Sequence, residues 1–426
     1  MPGWSNWAGN QQCAPAWVEH PAGAAALPDV VKAAVAAGRR VKVVGSGHSF
    51  TDIAVAPPDA VQVVLDRCDS VLSIDREQGL VTVEAGITIA ALNDALAAAG
   101  LALPNLGDIA YQTIAGAIST ATHGTGVRLG GLATQVVGLE LVAADGSVLS
   151  DAETVAVGRV GLGALGVISK VTLQCVPAFR LHAVEEPMRF SSLLDGLDRH
   201  VDGNDHFELF YVPHTDWALT KRNNRTDEPV GGMSRWRFLR DKVLMENVAF
   251  GAVCRLGRLR PSWIPRLNTA LPSSGRVEYV KPSHEVFASP RWVRFTEMEY
   301  SVPREAAVEV LQRLRSYIDS SGLRVSFPVE VRFTAGDDIP LSTAYGGARC
   351  YVAVHVFKGM PWEQYFRGVE AIMRSVDGRP HWGKLHYRTA EDLAPVYPEW
   401  QRFQVLRKRL DPDGVFSNAY VERVLG

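Results

Sequence analysis

Apolar and polar positions along residues 1–177 alternate between strand-like and helix-like patterns. Runs of β-branched residues predict short strands at 41–44, 61–65, 81–83 and 167–176, the last ended by Pro177. The Ala- and Val-rich segments 28–38 and 89–99 predict helices, each closed by a glycine. Residues 136–144 and 147–149 predict a hairpin, because the Asp145-Gly146 pair suits a tight type I′ turn.

The pattern changes after Pro177, where aromatic residues and longer polar connections become more frequent. Apolar patterning predicts further strands at 206–212, 295–300, 329–334 and 351–356. Helices are predicted at 305–320 and 362–376. We therefore predict a domain boundary near residue 178.

Composition narrows the possible partners. The formal net charge of the 426 residues is only −2, which argues against nucleic-acid binding, because that needs a basic excess to neutralise phosphates. The five cysteines are scattered and form no C-x-x-C pair, so neither a zinc site nor a disulfide framework is predicted. The sequence has no basic leader followed by an apolar core, and no apolar run of membrane-spanning length. We expect a cytoplasmic protein, with peripheral membrane contact left open.

One stretch departs from this neutral balance. Residues 221–266 hold eleven Lys and Arg against four Asp and Glu, with Trp236 and Trp263 among them. Such a stretch suits docking to a membrane or to an acidic electron acceptor. An ordinary solvated face of the second domain is the simpler explanation of this stretch, and we favour that interpretation.

A glycine-rich turn follows the predicted strand at 41–44. Residues 45–50 have the sequence Gly-Ser-Gly-His-Ser-Phe, and successive backbone N–H groups in such a turn can cradle phosphate oxygens. A dinucleotide-binding Rossmann turn needs a third glycine where Phe50 stands, so a nicotinamide enzyme is disfavoured. A plain turn explains the glycines alone, but a histidine inside such a turn is more unusual.

Two further segments carry little side-chain bulk. Residues 113–126 are mostly small, hydroxylated or glycine, which suits a loop lying flat against a large planar or phosphorylated ligand. A packed glycine-rich turn is the alternative. Residues 161–168, Gly-Leu-Gly-Ala-Leu-Gly-Val-Ile, enter the last strand of the first domain and indicate only a close backbone approach.

Charged residues mark the second half of the chain. Glu330 and Arg332 stand two apart on a predicted strand and therefore on one face. A carboxylate beside a guanidinium suits a polyhydroxylated substrate, because one accepts hydrogen bonds from hydroxyls and the other stabilises negative charge. Lys384, in the sequence His-Trp-Gly-Lys, suits a buried cation lining a pocket. Taken singly, these residues have simpler explanations. They are a surface salt bridge for Glu330 and Arg332, a loop position for Lys384 and a core position for His355.

Together these motifs resemble the vanillyl-alcohol-oxidase type of flavoprotein, in its sugar-1,4-lactone and alditol oxidase branch. The resemblance runs almost end to end, and residues 206–208, 295–300 and 342–346 are similar to the actinobacterial L-gulono-1,4-lactone dehydrogenases. It implies an α+β fold with a PCMH-type FAD-binding domain at 1–178. It also implies a mixed α/β substrate (cap) domain at 179–426, with a large antiparallel sheet and a tail from residue 380 that returns to the flavin domain.

The resemblance also implies how the cofactor is held. In that branch the histidine matching His48 carries FAD covalently through the 8α-methyl group. Gly107 matches a small residue over the flavin that influences oxygen access; glycine leaves room for oxygen, although near relatives include dehydrogenases. The residues expected to hold FAD are Val44, Gly45, Ser46, Gly47, His48, Ser49, Gly107, Asp108, Thr113, Gly116, Ala117, Thr120, Thr122, His123, Gly124, Gly166 and Ile168.

The activity implied is oxidation of an aldono-1,4-lactone of the L-gulono type toward ascorbate, by hydride transfer to the flavin. Glu330 and Arg332 would hold the substrate hydroxyls, and Arg332 would also favour the anionic reduced flavin. Lys384, with His355, would lower the proton affinity of the alcohol or take its proton. The electron acceptor would be oxygen or a cytochrome- or quinone-type acceptor, and no metal is expected.

Three other functions remain as alternatives. Alditol oxidases of the same branch share the flavin half and the positions of Glu330, Arg332 and Lys384, so an open-chain polyol oxidised with oxygen is the first. A flavin-binding protein without catalysis is the second, although it has no need of substrate-side charges. A nicotinamide dehydrogenase, the third, would carry no chromophore after purification.

Overall fold

The structure is a computed structural model that describes residues 3–234, 236, 240, 244, 247–269, 275–288 and 292–426. The strands described are β1 Trp4–Ser5, β2 Gln12–Cys13, β3 Trp17–Glu19, β4 Val41–Val44, β5 Val61–Val64, β6 Val71–Asp75, β7 Leu80–Glu84, β8 Leu101–Ala102, β9 Val136–Val142, β10 Val148–Leu149, β11 Val167–Gln174, β12 Val176–Pro177, β13 Arg180–Arg189, β14 His206–Val212, β15 Trp217–Thr226, β16 Val277–Pro282, β17 Phe295–Pro303, β18 Val329–Thr334, β19 Arg349–Phe357 and β20 Arg379–Pro380. The α-helices are α1 Leu27–Ala36, α2 Ile89–Ala98, α3 Ile114–Ser119, α4 Ala152–Gly158, α5 Phe190–Asp195, α6 Leu197–Asp202, α7 Phe250–Leu259, α8 Ile264–Thr269, α9 Ser283–Phe287, α10 Ala307–Ser320, α11 Glu363–Arg374, α12 Ala390–Leu393, α13 Trp400–Leu410 and α14 Ala419–Leu425. Within these ranges, no helix combines the length and apolarity needed to span a membrane.

The predicted α+β class with a large antiparallel sheet is confirmed, and each strand and helix predicted above has a counterpart. One predicted strand is too long. The run at 167–176 divides at Cys175, so that β11 joins a five-stranded antiparallel sheet and β12 pairs with β8 in a separate ribbon. Pro177 lies at the end of that short ribbon, where its missing N–H removes no bond from a central strand.

The predicted hairpin at 136–149 forms, but its turn is of another type. Residues 143–147 connect β9 to β10, and Gly146 has a φ of 75° while Asp145 has no positive φ. A type I′ turn needs positive φ at both central residues, so the type I′ prediction is wrong. The Asp145 carboxylate instead accepts a hydrogen bond from the Ser147 N–H at 2.8 Å, which stabilises a longer loop.

The first hydrophobic core lies among the elements of residues 24–175. It contains the five-stranded sheet, in the order β10-β9-β11-β7-β6, and a three-stranded parallel sheet, in the order β3-β5-β4. Helices α1 and α2 contribute their buried faces, including Leu27, Val31, Leu92 and Leu96.

The end of the chain packs against this same core. Trp382, Phe403, Leu406 and Tyr420 are buried in it. The Tyr420 hydroxyl donates to the carbonyl oxygen of Trp382 at 2.7 Å, which ties α14 to the segment before α12. This packing supports the proposed return of residues 380–426 to the first domain; the boundary at residue 178 stays a prediction.

An eight-stranded antiparallel sheet, in the order β16-β13-β15-β14-β18-β19-β17-β20, dominates the second half. One face is apolar: side chains such as Leu209, Val331 and Val354 bury against α10 and α11. Because side chains alternate along a strand, the intervening residues point to the opposite face. That second face carries most of the charged residues discussed below, and it faces the first core.

Leu406→Ala tests whether α13 is part of the first core. Leu406 is 3% exposed, and removing a buried leucine side chain typically costs about 2–5 kcal/mol of unfolding free energy. Val405→Ala on the same helix is the control, because Val405 is 61% exposed and should change stability by less than about 0.5 kcal/mol. Equilibrium denaturation measures both, and equal effects would contradict the packing.

Candidate active site

A cavity of about 880 Å³ lies between the charged face of the eight-stranded sheet and the first core. Glu330, Arg332, His355 and Lys384, the four residues expected to be catalytic, all line it. His48 lines it from the opposite side. The structure therefore brings the substrate-side and cofactor-side predictions to one place.

Strand register explains why the charged side chains meet. Glu297 of β17 pairs with His355 of β19, and Arg332 of β18 pairs with Glu208 of β14. Glu299 stands two residues from Glu297 and therefore lies on the same face. Strands β17, β18 and β19 thus present polar residues to one cavity, and Glu208 of the neighbouring β14 contacts Arg332 beside it.

Arg332 is surrounded by three carboxylates. Its Nη2 lies 3.0 Å from Asp108 Oδ1, its Nε donates to Glu208 Oε2 at 2.9 Å, and it pairs with Glu330. Burial alone would lower the pKa of Arg332, but these carboxylates, Glu330 foremost, raise it well above its ordinary value. The guanidinium is therefore a permanent cation. Glu330 and Arg332 do not form a surface salt bridge, the simpler explanation above, but belong to a cluster shielded from solvent.

Glu330 differs from its neighbours in its affinity for a proton. Burial raises the pKa of Glu330 to about 7, and the negative charges of Asp108 and Glu208 offset part of the stabilisation that Arg332 gives its ionised form. Glu208, by contrast, has a lowered pKa because Arg332 and Lys221 together outweigh its burial. Glu330 is thus a carboxylate that can exchange a proton near neutral pH.

Lys384, which is partly buried, forms a second ion pair, with the buried Glu297. Its Nζ lies 2.5 Å from Glu297 Oε2, and His355 Nε2 approaches the other oxygen of Glu297 at 3.5 Å. Burial lowers the pKa of Lys384, but the charges of Glu297 and Glu299 outweigh that effect and raise it above the usual lysine value. Lys384 is therefore charged at neutral pH.

A third group joins His123, Glu299 and His381, whose potential ligand atoms lie within 4.8 Å of one another. His123 donates from Nδ1 to the Gly124 carbonyl oxygen at 2.9 Å, and its Nε2 lies 3.1 Å from Glu299 Oε1. Burial would raise the pKa of Glu299, but His123 and His381 hold it below its ordinary value. His381 Nδ1 accepts from the Gly383 N–H at 3.1 Å, so this nitrogen is already used. These contacts account for the cluster as a hydrogen-bonded network.

The glycine-rich turn at 45–49 borders a second, smaller cavity of about 110 Å³. The two cavities meet at His48, Ser49, Gln112 and Thr120, which line both. Gly47 has a φ of 68°, and a Cβ there would lie 3.2 Å from the Trp4 ring, so the turn needs glycine at this position. A long ligand can therefore extend from the small cavity into the large one.

His48 is positioned and uncharged. Its ring stacks on the Trp7 ring with centroids 5.9 Å apart. The backbone N–H of Trp7 donates to the Gly47 carbonyl oxygen at 2.8 Å. Burial, assisted by the nearby charge of Lys384, lowers the pKa of His48 to about 4. A neutral imidazole has a free nitrogen lone pair, which bond formation to a ligand requires.

Two observations fit an extended FAD molecule in these cavities. The Thr122 hydroxyl is buried at the large cavity without a hydrogen-bond partner, as a ligand-facing donor would be. In addition, most of the residues expected to hold the cofactor line one cavity or the other. Those lining residues are Gly45, Ser46, Gly47, His48, Ser49, Gly107, Asp108, Thr113, Gly116, Thr120, Thr122, His123, Gly166 and Ile168.

Three of the expected cofactor residues line neither cavity. Ala117 and Val44 are buried, and Ala117 belongs to the first core. Gly124 is packed so closely that a Cβ would lie 2.1 Å from the Leu106 carbonyl oxygen. These three support the neighbouring segments, and their contact with the cofactor stays a prediction.

Sequence reasoning missed Glu297 and Glu299, the partners of Lys384 and His123. A signal was present, because the predicted strand at 295–300 carries glutamates at alternate positions, as one polar face requires. Asp108 was expected only as a cofactor contact, and its bond to Arg332 was not predicted.

The basic stretch at 221–266 is not one surface. Lys221 lines the large cavity and lies 3.5 Å from Glu208, and Arg222 pairs with Glu186 within the sheet. Residues 235, 237–239, 241–243 and 245–246 of the stretch lie outside the described residues. The exposed basic residues that the structure describes in this stretch are Arg225, Arg240, Arg255, Arg258, Arg260 and Arg266, and four of these six lie after residue 247.

Sequence comparisons identify relatives over the whole chain. The D-arabinono-1,4-lactone oxidase family matches residues 171–424, and an FAD binding domain family matches residues 15–151. L-gulono-1,4-lactone dehydrogenase of Mycobacterium tuberculosis is 49% identical, with 100% of this chain and 99% of the relative covered. L-gulonolactone oxidase of Bos taurus is 37% identical, covering 98% and 97%. An alditol oxidase of a Streptomyces species is 31% identical, covering 99% and 98%.

The fold is also found in solved structures. Cholesterol oxidase from B. sterolicum matches with a TM-score of 0.84 at 18% identity, covering 100% of this chain and 96% of that one. At this identity the likeness concerns the fold alone.

Glu297→Gln should lower the pKa of Lys384 by about one pH unit or more, because the paired charge is removed while burial remains. The pKa can be followed by the ¹³C shift of labelled lysine, assigned through Lys384→Met. Glu309→Gln is the control, since Glu309 is an exposed partner of Arg313 on α10. An unchanged pKa would mean that Glu297 does not hold the charge on Lys384.

Proposed function

The chain belongs to the D-arabinono-1,4-lactone oxidase family, and on that premise we propose that it oxidises L-gulono-1,4-lactone toward ascorbate with FAD. The observation that carries the proposal is the set Glu330, Arg332 and Lys384, which is largely shielded from solvent and faces the FAD cradle across one cavity. Such a set can bind hydroxyls and stabilise an alkoxide. A flavin-binding protein without catalysis would have no use for it.

We assign the smaller cavity to the phosphate-bearing part of FAD and the larger one to its ring system and the substrate. Backbone N–H groups of the turn at 45–49 and the hydroxyls of Thr113 and Thr120 line the former. His48 stands where the two cavities meet, and we propose that it carries the flavin covalently. When bound, FAD supplies the two-electron oxidant for the substrate's carbinol carbon.

At the substrate end, Glu330 and Arg332 hold hydroxyl groups, and the charges of Arg332 and Lys384 lower the proton affinity of the reacting one. Lys384 was expected either to act in this way or to take the proton, and its raised pKa favours the first role. Glu330, with a pKa of about 7, becomes the proton acceptor. His355 orients Glu297 and thereby Lys384.

A lactone is favoured over an open-chain polyol by the higher identity to the gulonolactone enzyme, 49% against 31% for the alditol oxidase. The test is turnover of L-gulono-1,4-lactone, xylitol and sorbitol by one enzyme preparation. Higher kcat/KM for the lactone supports the proposal, and higher kcat/KM for either polyol would replace it with the alditol alternative.

The family uses an electron acceptor, and we propose that it is oxygen or a cytochrome- or quinone-type acceptor. Gly107 lines the large cavity without a side chain. A Cβ at Gly107 would lie 3.1 Å from the His123 carbonyl oxygen, so an alanine would fit only with a small shift. The missing side chain at Gly107 is compatible with oxygen access, and comparing reoxidation by oxygen with reduction of a dye acceptor decides between these two classes.

His48→Ala should abolish covalent attachment while the cradle still binds FAD, because the remaining lining residues are unchanged. Acid precipitation should then release all flavin into the supernatant, whereas wild type keeps it in the pellet. His20→Ala is the matched control, since His20 pairs with Asp66 at the surface. Flavin retained by the precipitated His48 variant would refute the assignment.

Arg332→Ala should slow reduction of the flavin by the lactone about 10²-fold or more, because a buried donor to developing negative charge is lost. Stopped-flow absorbance measures the limiting rate. Arg332→Lys keeps the positive charge but removes the planar guanidinium, so it separates the effect of geometry from the effect of charge. Arg313→Ala, at an exposed pair with Glu309, is the control. A rate within about threefold of wild type would remove Arg332 from the reaction.

The rate of flavin reduction should rise about tenfold per pH unit up to the pKa of Glu330, about 7, and level off above it. The sign follows because Glu330 accepts a proton only when ionised, while Lys384 stays protonated across this range. Glu330→Gln should lose the inflection and Glu309→Gln should keep it. A flat wild-type profile across neutrality would assign the proton acceptor elsewhere.

A further inference from the structure

Helix α7 and the turn after it present apolar side chains to solvent. Leu256 and Leu259 of α7 are 45% and 71% exposed, and Trp263, in the 3-10 turn directly following, is 48% exposed. The opposite face of the helix is buried through Cys254 and Gly257. Helix α7 therefore carries apolar side chains on its outer face as well as on its buried face.

The same outer face carries arginines. Arg255, Arg258 and Arg260 alternate with the exposed apolar residues and are exposed themselves. Residues 247–269 contain four arginines and no aspartate or glutamate. We refer to Leu256, Leu259 and Trp263 with these three arginines as the α7 surface.

The composition of the α7 surface fits a lipid bilayer with anionic headgroups. Leucine and tryptophan on a short helix can enter the headgroup region, while arginines beside them bind phosphates. Long arginine stems cover apolar neighbours and still keep their charge in water. Residues 247–269 have no carboxylate that would be repelled by anionic headgroups. A bilayer, unlike a protein partner, needs no complementary shape in the surface that docks to it.

The α7 surface is attached to the wall of the catalytic cavity. Phe250, the first residue of α7, packs edge-on against Phe327 with ring centroids 4.9 Å apart, and both line the cavity. Asn268 and Thr269 of α8 line it as well. The segment that carries the exposed apolar residues thus also encloses the site.

We propose that the α7 surface docks this enzyme onto an anionic lipid bilayer as a peripheral contact. Leu256, Leu259 and Trp263 enter the headgroup layer, and Arg255 and Arg260 contact lipid phosphates. Arg258, which donates to the Lys358 carbonyl oxygen at 3.1 Å, adds its positive charge beside them. The contact goes beyond the oxidation described above and does not depend on the identity of the substrate.

Sedimentation of the FAD-loaded enzyme with vesicles tests the docking. Phosphatidylcholine vesicles with about one-third phosphatidylglycerol should bind it at least about tenfold more tightly than pure phosphatidylcholine vesicles, and added salt should weaken the binding. Leu259→Glu, and independently Trp263→Ser, should lower binding by about tenfold or more, because each removes an inserted apolar group.

Val405→Glu is the matched control, because Val405 is 61% exposed on α13, away from the α7 surface, and should leave binding unchanged. Lactone-dependent flavin reduction should be the same in all variants, which shows that they fold and that docking is separate from catalysis. Absence of wild-type binding, or equal binding by Leu259→Glu, would overturn the proposal. Wild-type self-association that Leu259→Glu abolishes, without vesicle binding, would make the surface an interface between copies instead.

Discussion

Buried charges on one face of the eight-stranded sheet are the constraint on which the site depends. A charged side chain out of water is costly unless an opposite charge and hydrogen bonds meet it. Here Arg332 is met by Asp108, Glu208 and Glu330, and Lys384 by Glu297. Removing Arg332 would leave three carboxylates without their shared cation, and removing Glu297 would leave Lys384 without its nearest anion, so the groups hold one another in place.

The opposite charges around these groups differ in number, so their pKa values shift in different directions. These shifts give the residues different chemical roles. Arg332 and Lys384 keep their protons because several carboxylates face them. Glu330 shares one guanidinium with two other carboxylates and is buried, so its pKa is raised to about 7. Two fixed cations beside one titratable carboxylate suit the removal of a hydroxyl proton. On the other side of the cavity, His48 is kept neutral by burial and by Lys384.

Local patterns predicted the elements and part of the site, because alternation along one strand is enough to place Glu330 and Arg332 together. They could not supply partners that depend on pairing between distant strands. Glu208 meets Arg332 across more than a hundred residues of sequence, through the register of β14 with β18. Lys221 appeared as one of many surface basic residues, yet the register of β15 with β14, which pairs Lys221 with Glu208, carries it into the cavity. The loop at 143–147 differs from its prediction, and there the Asp145 carboxylate accepts a hydrogen bond from the Ser147 N–H.

The central claim is that this cavity joins a flavin held by His48 to a lactone held by Glu330 and Arg332. The most direct measurement is the absorbance spectrum of the purified enzyme before and after acid precipitation, followed by anaerobic addition of L-gulono-1,4-lactone to the native protein. The account predicts a yellow protein, flavin that remains with the pellet, and bleaching by the lactone. A colourless protein, flavin released into the supernatant, or a flavin that polyols bleach and the lactone does not would contradict it.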